Sequence, residues 1–221
     1  MDLEELPIFP LSNVVLFPRV QTPLHLFEPR YRQLARDVLA GVSRIGMVTV
    51  PPAHASEMQG DPPIFPIGCC GRVTESQQLP DGRYNIVLLG EYRFQVADER
   101  ARSGDRLYRV ARVQRLEDAY PEGERDRVAH LRDRVSVQFA ALVRQAQPDR
   151  AEAFDPELFA DVDDATFVNA LSNAFALPVE EKQNLLDADT IPERFERLEA
   201  VLSFRRAAFE GGGGPGTDRL H

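Results

Sequence analysis

The stretch LPIFPLSNVVLFPRVQTPLHLFEPRYR, Leu6 to Arg32, is apolar yet broken by prolines at 7, 10, 18, 23 and 29. Proline lacks an amide hydrogen and clashes with the preceding helical turn, so no long helix can run through it. Proline also confines strands to edges, ends or bulges, so the sequence predicts short, kinked strands here. Leu24 and Leu26 fall on one face of such a strand, His25 and Phe27 on the other. Glu28-Pro29 reads as a hand-over to a helix with proline at its first position. Tyr31, Leu34, Ala35, Val38 and Leu39 continue at helical spacing, and Gly41 stands where a C-terminal cap is expected.

Further along, Ile45 to Val50 is apolar on both faces and ends at Pro51-Pro52, as a central strand would. Residues 53 to 63 read as an exposed loop in which His54 and Met58 are incidental. Ile64 to Leu79 reads as a strand whose Gly68 and Gly71 mark a bulge or a close backbone approach. Pro80-Asp81-Gly82-Arg83 is a turn leading to a strand over Tyr84 to Leu89. After Gly90 a half-exposed strand follows through Val96, and a last strand with a bulge lies within Leu107 to Leu116.

At Tyr120-Pro121-Glu122-Gly123 the period becomes helical. Val128, Leu131, Val135, Phe139, Leu142 and Ala146 form one stripe of a helix that Pro148 stops. A polar connection through Phe154 and Pro156 leads to a second helix from Asp163 or Asp164, with Phe167, Leu171 and Phe175 on one face. Pro178 opens a third helix, and Thr190 with Glu193 fits a capping box for a fourth carrying Phe195, Leu198, Leu202 and Phe209. Residues 211 to 221 have linker composition.

The proline-broken stretch, with Ile67-Gly68-Cys69-Cys70-Gly71-Arg72-Val73 and the hairpin from Leu79 to Gly90, resembles the N-terminal, substrate-binding domain of the Lon protease family. The likeness runs to about Phe209 and includes the form found as free-standing bacterial proteins. It implies an α+β fold, a PUA-like β-barrel over residues 1–117 followed by a helical subdomain over 118–210, with a flexible tail at 211–221. It implies a non-catalytic module that binds unfolded or peptide segments of other proteins, in association with a protease or chaperone. Full-length Lon adds an ATPase and a Ser-Lys peptidase, and neither motif is present here. The only lysine, Lys182, has no phosphate-binding glycine loop, and its acidic neighbours should stabilise its charged form.

The acidic start, Met1 to Glu5, lacks the features of a signal peptide, and no apolar run approaches a membrane span, so a cytoplasmic protein without membrane contact is expected. Adjacent Cys69 and Cys70 supply neither a CxxC pair nor a zinc site and read as buried strand residues. No cofactor or metal is expected, and the sequence leaves the oligomeric state open. A formal net charge of -9 argues against nucleic acid. RNA binding is nevertheless kept as an alternative, because other PUA-fold families perform it and arginines cluster at 102, 106, 109, 112 and 115 and again at 125, 127, 132 and 134. Interleaved acids make a solvated face the preferred reading.

His25 and Glu28 are spaced as a base with its orienting carboxylate, or as two metal ligands. They lack a third ligand or a nucleophile, so the sequence favours a hydrogen-bonded corner over a hydrolase. Glu28 is placed to accept from the first helical amides or to pair with Arg30. The candidate binding residues are therefore the expected exposed aromatics Phe9, Phe17 and Phe27, with His25, Glu28, Arg30 and Tyr31.

Overall fold

The structure is a computed structural model describing residues 3–146, 159 and 161–210. The connection through Pro148, Phe154 and Pro156, the glycine-rich tail and the side chains of Ala146 and Phe209 lie outside what is described.

Six strands form one mixed sheet: β1 (Glu4–Leu11), β2 (Gln21–Leu26), β3 (Arg44–Thr49), β4 (Ile67–Gln78), β5 (Tyr84–Glu99) and β6 (Arg109–Leu116). Helices are α1 (Pro29–Leu39), α2 (Arg125–Ala146), α3 (Asp164–Ala174), α4 (Val179–Leu186) and α5 (Ile191–Glu210), so the class is α+β. The strand order is β2-β5-β4-β3-β1-β6, and β6 also pairs with β5. Hydrogen bonding therefore runs from β5 through β4, β3, β1 and β6 back to β5, while β2 lies outside that circuit on the first half of β5. Among these six strands, only β1 and β3 pair in parallel.

The prolines of β1 did not confine it to an edge. β1 pairs with β6 over Glu4 to Ile8 and with β3 over Ile8 to Leu11, so its two neighbours overlap only at Ile8. Pro7 and Pro10 each stand where β1 has a partner on one side alone, and a missing amide hydrogen breaks no ladder. A second departure concerns β5, expected as two strands divided at Gly90 and found as one. Pairing with β4 shifts register where Glu91 is extra, and pairing with β6 shifts where Ala97 is extra. Such bulges bend a strand and let it serve two sets of neighbours. The irregularity expected in the last strand thus sits in its partner. The loop after Pro51 contains a short 3-10 helix, Pro52–Glu57.

Alternating strand residues fill two cores. One contains Ile8, Val48, Cys70, Phe94 and Val113, drawn from the five strands of the circuit. The other, containing Phe9, Ile45, Met47 and Leu88, is covered by Tyr31, Leu34, Ala35 and Val38 of α1. Fully burying each such large aliphatic side chain contributes about 2 kcal/mol. Gly90 is required by closeness, because a Cβ there would stand 2.1 Å from the Phe17 carbonyl oxygen.

Contacts cluster the chain into two units, Met1–Asp118 with Asn169–Asp187, and Ala119–Val168 with Ala188–His221. The helical stretch expected as one subdomain is thus divided between them, and α3 contributes its first turns to one and its last to the other. In the first unit α4 is tied to the sheet by Gln183, which donates to the Ile67 carbonyl at 2.9 Å. It is tied also by Arg93, whose guanidinium donates to Asp118 at 2.7 Å, Leu186 O at 3.0 Å and Glu117 O at 3.2 Å. In the second unit the α2 stripe Val128, Leu131, Val135, Phe139 and Leu142 is buried, as are Phe195, Leu198 and Leu202 of α5. Thr190 Oγ accepts from Glu193 N at 3.2 Å, while the Glu193 carboxylate takes the Asp189 amide at 2.9 Å.

Candidate binding surface

Beyond the register shift at Thr74, the outer part of β4, the first half of β5 and the whole of β2 make a three-stranded ribbon. Its pairings place Gln77, Asn85 and His25 in one rung and Glu75, Val87 and Pro23 in the next. These side chains share one face because strand residues alternate. The face holds a solvent-open recess of about 400 Å³, lined by Pro23, Leu24, His25, Glu75, Gln77, Asn85 and Val87 among others. Pro23 and Val87 supply an apolar floor, and the amides of Gln77 and Asn85 supply polar rims. Phe27 continues this face and is 59% exposed, its ring 6.1 Å from that of His25.

His25 is held in place by two neighbours. Its Nδ1 lies 2.7 Å from Asn85 Oδ1 and its Nε2 lies 3.2 Å from Arg83 Nη1. Arg83 can only donate. The neutral ring therefore donates from Nδ1 to Asn85 and accepts at Nε2 from Arg83. The turn fixes Arg83: Gly82 has φ of 82°, and Asp81 accepts from the Arg83 amide at 3.1 Å and from its guanidinium at 2.6 Å. Those bonds hold the Asp81 carboxyl below the usual carboxylate range.

The residues singled out from sequence separate into three groups. Phe9 and Phe17 are buried, at 3% and 0% exposure, which overturns their expected place on a surface. Phe9 packs edge-on against Tyr31 with ring centroids 4.3 Å apart, and burial pushes the Tyr31 phenol pKa up. An apolar run between prolines reads the same whether it faces solvent or core. Phe27 and His25 line the ribbon face. Glu28 and Arg30 form a third group at the start of α1: Arg30 Nε donates to Glu28 at 3.0 Å and Nη1 to the Gly60 carbonyl at 3.0 Å. The Glu28 side chain makes no cap; its carbonyl accepts from Tyr31 N and Arg32 N instead. His25 and Glu28 consequently bond different partners and constitute neither a corner nor a base with its carboxylate. A separate recess of about 270 Å³ is bordered by Glu28, Arg30, Gln59, Arg102 and Leu107.

Asn85, Arg83, Gln77 and Val87 escaped the sequence reading. The strand expected over Tyr84 to Leu89 includes Val87, but only long-range pairing brings β2 beside it. Lys182 also differs from expectation: it donates to the Asn173 carbonyl at 2.8 Å, and burial lowers its pKa despite the acidic neighbours. Among the described residues there is no cluster of three or more His, Cys, Asp or Glu that could hold a metal, and no helix is long and apolar enough to cross a membrane.

The arginine clusters are largely engaged by carboxylates. Arg102 pairs with Asp61, Arg109 with Glu99, Arg112 with Asp98, Arg127 with Glu124 and Glu196, Arg132 with Asp164, and Arg134 with Glu199. The Arg115 guanidinium lies over the Tyr92 ring, 4.3 Å from its centroid. A phosphate backbone would have to displace these carboxylates one by one.

Residues 5–203 match the family model described as the ATP-dependent protease La (LON) substrate-binding domain. A Lon protease of Flavobacterium johnsoniae is 29% identical over 195 residues, covering 86% of this chain and 22% of that protein. One from Cytophaga hutchinsonii is 28% identical over 203 residues, covering 88% of this chain and 24% of that protein. The chain thus spans under a quarter of the length of these relatives. Among solved structures, a Lon N-terminal domain protein from Xanthomonas campestris is similar with a TM-score of 0.60 and 25% identity, over 89% of this chain and 98% of that one. The N-terminal domain of Mycobacterium avium complex Lon protease superposes with a TM-score of 0.64 at 16% identity, over 90% of this chain and 98% of its own.

Proposed function

We propose that this chain, which belongs to the LON substrate-binding domain family, is a non-catalytic module that holds unfolded or peptide segments of client proteins. The returning hydrogen-bond ladder supports a PUA-like barrel over residues 1–117, and the module works in the cytoplasm beside a protease or chaperone. The observation that carries it is the ribbon face: an open recess with an apolar floor, amide rims and an exposed aromatic, Phe27, at its end. Such a surface suits side chains and peptide groups of an unfolded segment, and its size suits a transient contact of micromolar affinity. The neutralised arginines favour this reading over RNA.

The test is a paired titration of a fluorescent unfolded protein and a labelled RNA at several salt concentrations. Client binding should be weak and nearly independent of salt. An RNA site with about six phosphate contacts would lose on the order of a thousandfold in affinity between 50 and 200 mM salt. RNA binding tighter than client binding at physiological salt, with that steep dependence, refutes the proposal. Background-subtracted ATP turnover abolished by Lys182→Ala would refute its non-catalytic part.

A further inference from the structure

A strand inside a sheet has its backbone groups paired on both sides, whereas β2 is hydrogen-bonded to β5 alone among the described strands. The register tells which of its groups are left over. Gly90 N donates to Val20 O at 2.9 Å, and antiparallel pairing alternates from there, so Thr22, Leu24 and Leu26 turn their backbone groups toward β5. Gln21, Pro23 and His25 turn theirs to the free edge. That edge offers amide donors at Gln21 and His25 and carbonyl acceptors at all three positions. Pro23 falls at the one middle position where β5 asks for no donor, and there it removes one from the edge.

We infer that a client segment docks by adding as an extended strand along the free edge of β2. The inference rests on the polypeptide-binding reading above and specifies its mode. An occupant of this edge has to carry alternating amide donors and carbonyl acceptors at the spacing of an extended chain, which a polypeptide does and a nucleic acid does not. Alternate side chains of the added strand then stand on the ribbon face beside Pro23, His25 and Phe27. That face carries the acidic Glu75 beside neutral Gln77, Asn85 and Val87, and the Arg83 guanidinium at His25 is paired with Asp81, so it suits uncharged segments.

A second copy of this chain fits less well. Two β2 strands paired about a twofold axis at Pro23 would bring prolines face to face and leave two central carbonyls without donors, against one for a client strand. The single proline also limits the edge, since unguarded edges template aggregation. Capture by β2 is therefore reversible by construction.

The experiment uses the full chain, labelled with nitrogen-15, and reduced, carboxymethylated α-lactalbumin as the unfolded probe. On saturation, amide exchange at Gln21 and His25 should slow at least about tenfold, while Thr22 and Leu24, already paired, stay as they were. Gln21→Pro should bind about three- to tenfold more weakly than Gln21→Ala, the range expected for one backbone hydrogen bond. Pro23→Val, which restores a donor and keeps an apolar side chain, should tighten binding by a similar factor, a gain that misfolding cannot mimic. If the probe binds with exchange at Gln21 and His25 unchanged and Pro23→Val no tighter, strand addition is wrong and the binding reading stands. If those two amides are already protected in the concentrated free protein, the edge belongs to a second copy and the inference is overturned. No binding of the probe by the wild-type chain at tens of micromolar overturns both.

Discussion

Removing the Arg93 guanidinium should release α4 from the sheet at a cost that can be worked from its partners. The residue is 2% exposed and donates to the Leu186 and Glu117 carbonyls and to Asp118. In Arg93→Ala the Leu186 carbonyl loses a buried hydrogen bond, at about 1–3 kcal/mol, while the Glu117 carbonyl, on an exposed residue, regains water and costs less. Asp118 keeps access to water, its side chain being 21% exposed, so its loss is discounted toward the value of a surface pair. With the cavity left by the side chain, the total is about 3–5 kcal/mol. In urea, with a slope near 2 kcal/mol per molar, the midpoint should fall by about 2 M. Arg93→Met fills the cavity and should recover about half. Adding Asp118→Ala to Arg93→Ala should cost less than the two single losses summed, because the two residues share one interaction. Hydrogen exchange should show the amides of α4 losing protection before those of β3 and β4. A loss under about 1 kcal/mol for Arg93→Ala, or protection in α4 unchanged, would refute the assignment of Arg93 as the tie.

Three shorter expectations follow. Gly90→Ala drives a Cβ to 2.1 Å from a backbone oxygen and should cost at least about 2 kcal/mol, whereas Gly41→Ala, whose nearest neighbour is 3.6 Å away, should be neutral or slightly stabilising in a thermal melt. Burial pushes the Cys70 thiol up to about 11 from its ordinary 9.0, so the folded chain keeps a proton that the unfolded chain gives up. Unfolding free energy should then fall as pH rises from about 9 to 11, by about 2–3 kcal/mol from this group, and Cys70→Ala should flatten the decline in alkaline urea titrations. Phe27→Ser should shift the melting temperature by no more than about 2 °C while weakening client binding several-fold, since Phe27 is 59% exposed and contributes little to the core; a large loss of stability would count against its placement on the binding face.

Local pattern carried far in this chain. The spacing of Tyr31, Leu34, Ala35 and Val38 identified the buried face of α1, and the α2 stripe from Val128 to Leu142 is the one the structure buries. Proline and glycine marked Pro29 at the start of α1 and the turn at Gly82 correctly, because each has a strong local cause. What escaped depends on partners far away in sequence. The β1 prolines are tolerated because β3 and β6 divide the strand between them, which nothing within β1 announces. The exposure of an aromatic in an apolar run is likewise set by what packs over it: Phe9 lies under α1 and Phe27 does not. His25 found Asn85 sixty positions away rather than Glu28 three away, because the pairing of β2 with β5 fixes its surroundings. Pro178 marked the start of α4, but nothing near it in sequence says which core that helix covers.

That last ambiguity bears on how such a chain can be divided or inherited. A gene fragment ending at Asp118 would encode all six strands, yet its product would lack α4 and with it the Leu186 carbonyl that meets Arg93 and the Gln183 amide that meets Ile67. A fragment beginning at Ala119 would carry α4 away from the strands it covers. Recombination at the end of the sheet would therefore transplant neither unit intact, and selection should hold the strands and the helices that follow them together as one heritable block.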